Sequence, residues 1–363
     1  MKRLIAGMAA ALLAAVLFFP CKVQAISAGS SILLDAQTGR VLYEKNAHQR
    51  SLIASTTKIM TALVICEQCN VLDRVRIPKE AVGIEGSSMY LREGEILTIQ
   101  ELLYGLMLHS GNDAATALAI YCGGTVEGFA ELMNDKARSL NMKNSHFVNP
   151  HGLDNPEHYS TAEDLAVLAA YAMENPIFAK TVSSKSVTIG KRHLTNHNKL
   201  LWQVEGAEGV KTGYTKAAGR ILVSSVSRQG RRLIAVTINA PDDWRDHKIL
   251  YDQGFSQYCV YQLVRNGQSL GSIEIAAGEE NRVELLAGED FSYPLRKDEQ
   301  VQIRMSEPGF AYAPVVEGAS AGFAHIFVDH KPVGKVSVVY GQSVEEHKQP
   351  KVNKWKKFID KVW

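Results

Sequence analysis

Three short motifs lie far apart in this chain, Ser55-Thr-Thr-Lys58, Ser110-Gly-Asn112 and Lys211-Thr-Gly213, and the chemistry they offer needs them in one cleft. The fold must therefore carry a helix start, an interhelical turn and a strand to the same place. Ser55 and Lys58 head the apolar run Ile59 to Leu63, which has helical spacing. A three-residue step on a helix puts both side chains on one face, one turn apart, so the amine reaches the hydroxyl. Alone, such a pair is equally a serine cap followed by a surface lysine. The other two motifs, in this order, give it meaning.

The rest of the chain supplies the elements. Ser31 to Asp35 and Val41 to Tyr43, joined by a turn at Thr38-Gly39, predict a hairpin. Apolar residues at three- and four-residue steps predict helices over Thr57 to Cys66, Ile99 to Leu108, Ala114 to Ile120, Val126 to Leu140 and Thr161 to Met173. Strands are expected again at Gly209 to Gly213, Arg220 to Val226 and Leu233 to Asn239, the last two joined at Gln229-Gly230. The expected first domain is thus an α/β (α+β) unit, a helical cluster packed on an antiparallel sheet. Beyond Gln257, short alternating runs such as Ser272 to Ile275, Arg282 to Leu285, Val301 to Ile303 and Lys335 to Val339 predict a small all-β sandwich without a catalytic constellation.

Both ends have their own character. Lys2 and Arg3, the apolar run Leu4 to Phe19 and the small residue at Ala25 form the three-part pattern of a secretory signal peptide. The run is short for a bilayer span of about 20 residues. From Lys348 onward, Trp355, Phe358, Ile359 and Val362 share one helical face while lysines line the rest. That is a basic amphipathic helix suited to an anionic membrane surface. The expected organisation is residues 1–25 leader, 26–256 catalytic domain, 257–345 β domain and 346–363 surface helix. A net charge of +2 gives no reason to expect nucleic acid. Export would leave Cys66, Cys69, Cys122 and Cys259 where disulfides can form, yet they make no framework, and helix-face or core positions are expected. Neither Cys66-x-x-Cys69 nor His193-x-x-x-His197 has the partners of a metal site, so no metal or cofactor is expected.

The chemistry has one physical obstacle. An unperturbed lysine, with a pKa of about 10.4, is neutral in only about one molecule in 2,500 at pH 7, and only the neutral amine accepts a proton. Burial together with a second cation, Lys211, would lower it. Ser55 is then the expected nucleophile and Lys58 its base. Ser110 is expected to pass a proton to the leaving amine, and Asn112 to orient Lys58 and the substrate. The backbone N–H groups of Ser55 and Tyr214 are expected to hold the tetrahedral oxygen. Lys211, Thr212 and Thr215, beside Gly213 and with Arg245 as helper, are expected to bind a terminal carboxylate.

The chain resembles the low-molecular-mass penicillin-binding proteins, in particular the serine-type D-Ala-D-Ala carboxypeptidases of sporulating Gram-positive bacteria. Beyond the three motifs, the stretches Val82 to Tyr90, Leu102 to Met107, Phe147 to Asp154 and Lys211 to Gly219 carry the resemblance. It implies a transpeptidase/β-lactamase-like domain, a β-rich C-terminal domain and a membrane-surface helix. The implied substrate is a peptidoglycan stem peptide ending in D-Ala-D-Ala, with β-lactams acylating the same serine. Tyr214 replaces a histidine of some relatives and His197 an arginine, which throws the carboxylate contact toward Arg245. Rival readings are a class A-like β-lactamase, a D,D-endopeptidase and a non-enzymatic wall-binding scaffold. The lactamase needs an acid to activate water, and Glu131 reads as a helix-surface residue.

Overall fold

The computed structural model describes residues 25–306 and 309–347. The leader expected over residues 1–25 lies outside them but for Ala25, and the helix expected from Lys348 onward lies outside entirely. The chain forms two compact units, one up to Gly254 and one from Phe255.

The first unit begins with strands β1 (Ser30–Asp35) and β2 (Val41–Lys45), followed by a 3-10 turn (Ala54–Thr57) and helix α1 (Lys58–Gln68). Short strands β3 (Arg74–Arg76) and β4 (Ile96–Thr98) pair with each other. Helices α2 (Ile99–Leu108), α3 (Asn112–Gly123), α4 (Val126–Ser139), α5 (Ala162–Ala172) and α6 (Pro176–Ser183) follow. Next come the hairpin β5 (Ser186–Ile189) and β6 (Arg192–Thr195) and the single turn α7 (Leu200–Gln203). Strands β7 (Ala207–Thr215), β8 (Gly219–Arg228) and β9 (Arg231–Ile238) and helix α8 (Asp243–Gln257) complete it.

Local chemistry sets the helix starts. Thr98 and Glu101 form a reciprocal capping box on α2, Thr125 caps α4, Thr161 caps α5, and Asn175 with Pro176 opens α6. The sheet runs β2-β1-β9-β8-β7, every pair antiparallel. The β8–β9 turn at Gln229-Gly230 has φ of 52° and 79°, the double positive φ that a tight hairpin demands. Helix α1 is buried along Lys58 to Ile65 and touches α2 through α6, while α5 lies on β1 and β9. Each leucine or isoleucine buried in this way contributes roughly 1.5–3 kcal/mol.

Helix α8 docks by polar groups. His247 Nδ1 lies 2.6 Å from Ser224 Oγ and its Nε2 3.0 Å from Thr237 Oγ1, and Tyr251 reaches the same serine at 2.6 Å. Burial lowers the His247 pKa to about 3, so the ring stays neutral between two hydroxyls.

The second unit is all β. Its strands are β10 (Cys259–Val264), β11 (Ser269–Ala276), β12 (Arg282–Ala287), β13 (Phe291–Leu295), β14 (Val301–Ser306), β15 (Phe310–Tyr312), β16 (Ser320–Val328) and β17 (Lys331–Tyr340). Six form a sheet in the order β14-β16-β17-β12-β11-β15, and β10 pairs with β13 as a separate ribbon. Ile273, Ile275, Val283, Leu285, Ile326, Val336 and Val338 alternate along their strands into one core.

Candidate active site

Ser55 stands in the 3-10 turn just ahead of α1, one turn earlier than a regular helix start would place it. In such a turn residues i and i+3 are nearly eclipsed, which lays Lys58 over Ser55. Ala54 holds a positive φ of 44°, and Thr56 and Thr57 hydroxyls brace the turn on Ile53 O and Ala54 O at 2.6 and 2.8 Å. Thr57 Oγ1 also lies 2.7 Å from His158 Nε2, while Val148 N–H donates to the other ring nitrogen at 3.2 Å. The chain presses closely behind this turn. A Cβ on Gly152, whose φ is +88°, would meet Ala54 O at 1.8 Å, so only glycine fits there.

Lys58 is fully buried. Its Nζ lies 3.1 Å from Ser55 Oγ, 2.7 Å from Asn112 Oδ1 and 2.6 Å from the His151 carbonyl oxygen. Burial first, and the Lys211 cation second, hold its pKa well below the ordinary lysine value; Asp113 offsets part of this. Lys211, on β7, is itself buried and lowered to about 7 by that burial. Its Nζ donates to Thr212 O at 2.9 Å. Burial and the nearby Lys211 cation thus both favour the neutral form of Lys58. A neutral Lys58 has two N–H bonds and a lone pair. The two oxygens of Asn112 and His151 take the N–H bonds, which leaves the lone pair for the hydroxyl proton of Ser55.

Ser110 joins α2 to α3 with a φ of 63°, an unusual conformation for a non-glycine residue and one that recurs at functional sites. Asn112 opens α3 and donates from Nδ2 to Glu85 O at 2.5 Å. Its neighbour Asp113 is buried and accepts from Met89 N, Leu91 N and Ser88 Oγ at 3.1, 3.0 and 2.6 Å. These bonds fix the loop that carries Ser87 into the cleft. Asp113→Ala frees that loop and is expected to lower the rate of serine acylation by roughly 10- to 100-fold, the size of effect that an ångström of misplacement produces. Stopped acylation assays against a folded control check this; an unchanged rate would show that the loop does not position the site.

The three motifs open onto one cleft of about 380 Å³, lined by Ser55, Ser87, Ser110, His197, Lys199, Thr212, Gly213, Tyr214, Arg220, Ile221, Asp243 and Trp244. Strand β7 passes so close that a Cβ on Gly213 would stand 3.2 Å from the Ser55 amide nitrogen. Lys58, Asn112 and Lys211 sit directly behind the lining. Two sequence expectations fall elsewhere. Thr215 Oγ1 donates to Asp154 Oδ1 and accepts Ala218 N, both at 3.0 Å, and so pins the β7–β8 turn. Arg245 pairs with Asp242 at 3.6 Å on the surface. Asp243 and Trp244 face the cleft, and two residues beyond Asp243 the helix has turned Arg245 away from it.

Arg220, and not Arg245, lines the cleft. It follows from register, since Arg220 pairs with Tyr214 across β7 and β8. Its guanidinium bonds Asp243 at 2.7 and 3.0 Å. His197, which has no metal partners, lines the cleft, its backbone N–H bonded to Leu108 O and its ring 5.3 Å from that of His109. His193 is held by Thr188 in the β5–β6 hairpin, and among the described residues no group of three or more His, Cys, Asp or Glu is arranged for a metal. Glu131 is exposed on α4 and absent from the lining, whose single carboxylate, Asp243, is occupied by Arg220.

Comparison with known proteins gives this geometry its relatives. Residues 19–242 match the family described as D-alanyl-D-alanine carboxypeptidase, and residues 258–346 match the penicillin-binding protein 5 C-terminal domain. The chain is 34% identical to the D-alanyl-D-alanine carboxypeptidase DacF of Bacillus subtilis over 81% of this chain and 80% of that one. It is 35% identical to DacD of Escherichia coli over 77% and 76%. Penicillin-binding protein 5 of Haemophilus influenzae superposes with a TM-score of 0.77 at 29% identity, covering 90% of this chain and all of that one. The carboxypeptidase match spans more than half of the chain and the C-terminal match covers the β domain, and the chain belongs to the serine-type D-alanyl-D-alanine carboxypeptidase family of low-molecular-mass penicillin-binding proteins, with a transpeptidase/β-lactamase-like domain followed by an all-β one.

Proposed function

We propose that the chain removes the terminal D-alanine from peptidoglycan stem pentapeptides through an acyl-enzyme on Ser55. The observation that carries this is the three-way bonding of Lys58, which leaves its lone pair for Ser55. Ser55 Oγ attacks the penultimate carbonyl carbon as Lys58 takes its proton, and the N–H groups of Ser55 and Tyr214 receive the oxyanion. Ser110 hands its proton to the departing amine and takes the one that Lys58 removed from Ser55, so Lys58 is neutral again as the C–N bond breaks and D-alanine leaves. Water then hydrolyses the ester. A β-lactam enters the same path and stops at the acyl-enzyme. The carboxylate in the lining, Asp243, is paired with Arg220, which speaks against a class A-like β-lactamase with an acid poised to activate water.

Peptidoglycan lies outside the cytoplasmic membrane, so the family's substrate sets the action there. An N-terminal leader over residues 1–25 and a membrane-surface helix over 346–363 would deliver and hold a catalytic domain of residues 26–256 and a β domain of 257–345. No helix of the described residues is long and apolar enough to cross a membrane.

Terminal carboxylate binding falls to Thr212, Lys211 and Arg220 in this reading. Arg220→Ala is expected to raise KM for a stem peptide roughly 10- to 100-fold, the worth of one charge-assisted hydrogen bond. Arg245→Ala is expected to leave KM within about twofold, as for a surface ion pair. The reverse pattern would return the role to Arg245. The central test is mass analysis of a purified pentapeptide after incubation. Loss of one alanine residue, with a persistent penicilloyl adduct in a parallel sample, supports the proposal; an intact peptide or rapid penicillin turnover overturns it.

A further inference from the structure

The loop from Glu85 to Leu91 shapes the site from outside, with Ser87 its contribution to the cleft lining. Glu85 O accepts from Asn112 Nδ2 at 2.5 Å and Ser87 O from Asn112 N at 2.7 Å. Two loop carbonyls thus set the amide whose oxygen meets Lys58 Nζ. The loop's N–H groups at Met89 and Leu91 are taken by Asp113, the neighbour of Asn112. Its carbonyls at Met89 and Tyr90 are taken from another element. Arg192, the first residue of β6, donates from Nε to Met89 O at 2.7 Å and from Nη2 to Tyr90 O at 3.0 Å. The same guanidinium meets both oxygens of Glu95, Nη1 to Oε1 at 2.6 Å and Nη2 to Oε2 at 2.8 Å. Glu95 is itself fixed, its carboxylate accepting from Arg92 N at 3.1 Å and its carbonyl from Ile77 N at 2.8 Å.

The loop needs this hold because it is strained. Tyr90 has a φ of 56° and is 80% exposed, so packing of its ring does not keep it there. A non-glycine residue keeps such a conformation only where its surroundings over-determine it. Here Ser88 Oγ accepts its N–H at 2.9 Å and Arg192 grips its carbonyl. Gly86 leaves no slack either, since a Cβ there would stand 2.8 Å from Asn112 Nδ2. A displaced loop therefore displaces Asn112.

We propose that Arg192 is a positioning residue for acylation of Ser55: clamped on Glu95, it holds the Met89 and Tyr90 carbonyls and, through the loop, keeps the Asn112 oxygen on Lys58. This rests on the reading of Lys58 as the base. Without the clamp Tyr90 relaxes toward negative φ, the Glu85 and Ser87 carbonyls shift, and Asn112 turns away from Lys58. An ångström of misplacement of this kind slows a reaction about 100-fold, though no group touching the substrate has been removed. Lysine is no substitute, because a single ammonium does not span the acceptors of a planar fork. The bond from Arg192 also holds the Glu95 carboxyl below its usual range, so the pair stays charged at neutral pH.

The test follows penicillin acylation of Ser55 on the full chain by quenched-flow mass analysis, over drug concentrations that separate the limiting rate from the dissociation constant. Arg192→Ala is expected to lower the limiting rate about 10- to 100-fold while the dissociation constant moves by less than about threefold. Arg192→Lys is expected to fall nearly as far, and Glu95→Gln by about 3- to 10-fold. The double variant Glu95→Gln/Arg192→Ala is expected to be no slower than Arg192→Ala, since both changes break one clamp. Arg232→Ala is the comparison for stability. It removes ion pairs with Glu174 and with Glu208, near the end of β7 opposite Gly213, and is expected to lower the melting temperature with the limiting rate within about twofold. An unchanged limiting rate in the Arg192 variants, a loss confined to the dissociation constant, an additive double variant or an equal loss in Arg232→Ala would each overturn the proposal. Arg192→Lys and Glu95→Gln decide it if the alanine variant does not fold. A natural protein that forms no adduct on Ser55 overturns the reading of the site and the proposal together, whereas a natural protein that acylates beside unimpaired variants overturns the proposal alone.

Discussion

A Ser55→Ala chain is expected to form no covalent adduct with penicillin and to lose D-alanine release on the order of 10⁶-fold, as when a serine nucleophile is removed from comparable machinery. The cleft holds two other serine hydroxyls, Ser87 and Ser110, but it is the Ser55 oxygen that Lys58 Nζ meets, at 3.1 Å. A hydroxyl without a base stays protonated and is a poor nucleophile. Folding is expected to survive, because the side chain is half-buried and its hydrogen bond is worth about 1 kcal/mol. Intact mass after penicillin treatment reads the result, with reversible binding of the drug as the sign of a preserved cleft. A penicilloyl group mapped to Ser110 would mean that the nucleophile has been misassigned.

What the sequence revealed depended on how local the cause was. The hairpin at Gln229-Gly230 and helix Ile99–Leu108 were legible because turn residues between two strand-like runs, and apolar residues at three- and four-residue steps, are written in neighbouring positions. Helix Asp243–Gln257 was not. It buries Asp243, Asp246 and His247 along with Ile249 and Leu250, so its inward face is not an apolar stripe. Its buried polar groups make sense only beside their partners. Asp246 accepts from Ser27 N and Ala28 N at 2.9 and 3.0 Å, from residues more than two hundred positions earlier.

The site divides in the same way. Ser55 and Lys58 are one turn apart and could be read from spacing. The carboxylate-binding side could not, because Arg220 reaches the cleft through its cross-strand register with Tyr214 and Arg245 leaves it through the phase of a helix. The groups that make Lys58 a base were also hidden. The His151 carbonyl and the Gly152 close approach belong to the stretch Asn149-Pro-His-Gly, which the family resemblance singled out but whose residue types give no sign of a backbone carbonyl aimed at Lys58.

Lys58→Met is expected to slow acylation by penicillin about 10⁴-fold, the upper range for removing a general base. Methionine keeps the length and the burial but has no lone pair basic enough to accept the Ser55 proton. Lys58→Arg is expected to fail almost as completely, because a guanidinium stays protonated and supplies only donors. The natural enzyme carries the same requirement in its pH profile. Its acylation rate is expected to fall as pH drops through the lowered Lys58 pKa, where the amine takes up a proton and its lone pair disappears. Stability bears the opposite mark of the same shift. Below the ordinary lysine pKa of about 10.4 the unfolded chain holds a proton that the folded Lys58 resists, so the residue weakens folding increasingly as pH falls toward its lowered value. Thermal melts of Lys58→Met against the natural protein should therefore shift in favour of the variant as pH is lowered, and converge on a constant difference above about pH 10.4. A pH-independent difference, together with acylation that survives the substitution, would mean that the buried amine is neither neutral nor the base.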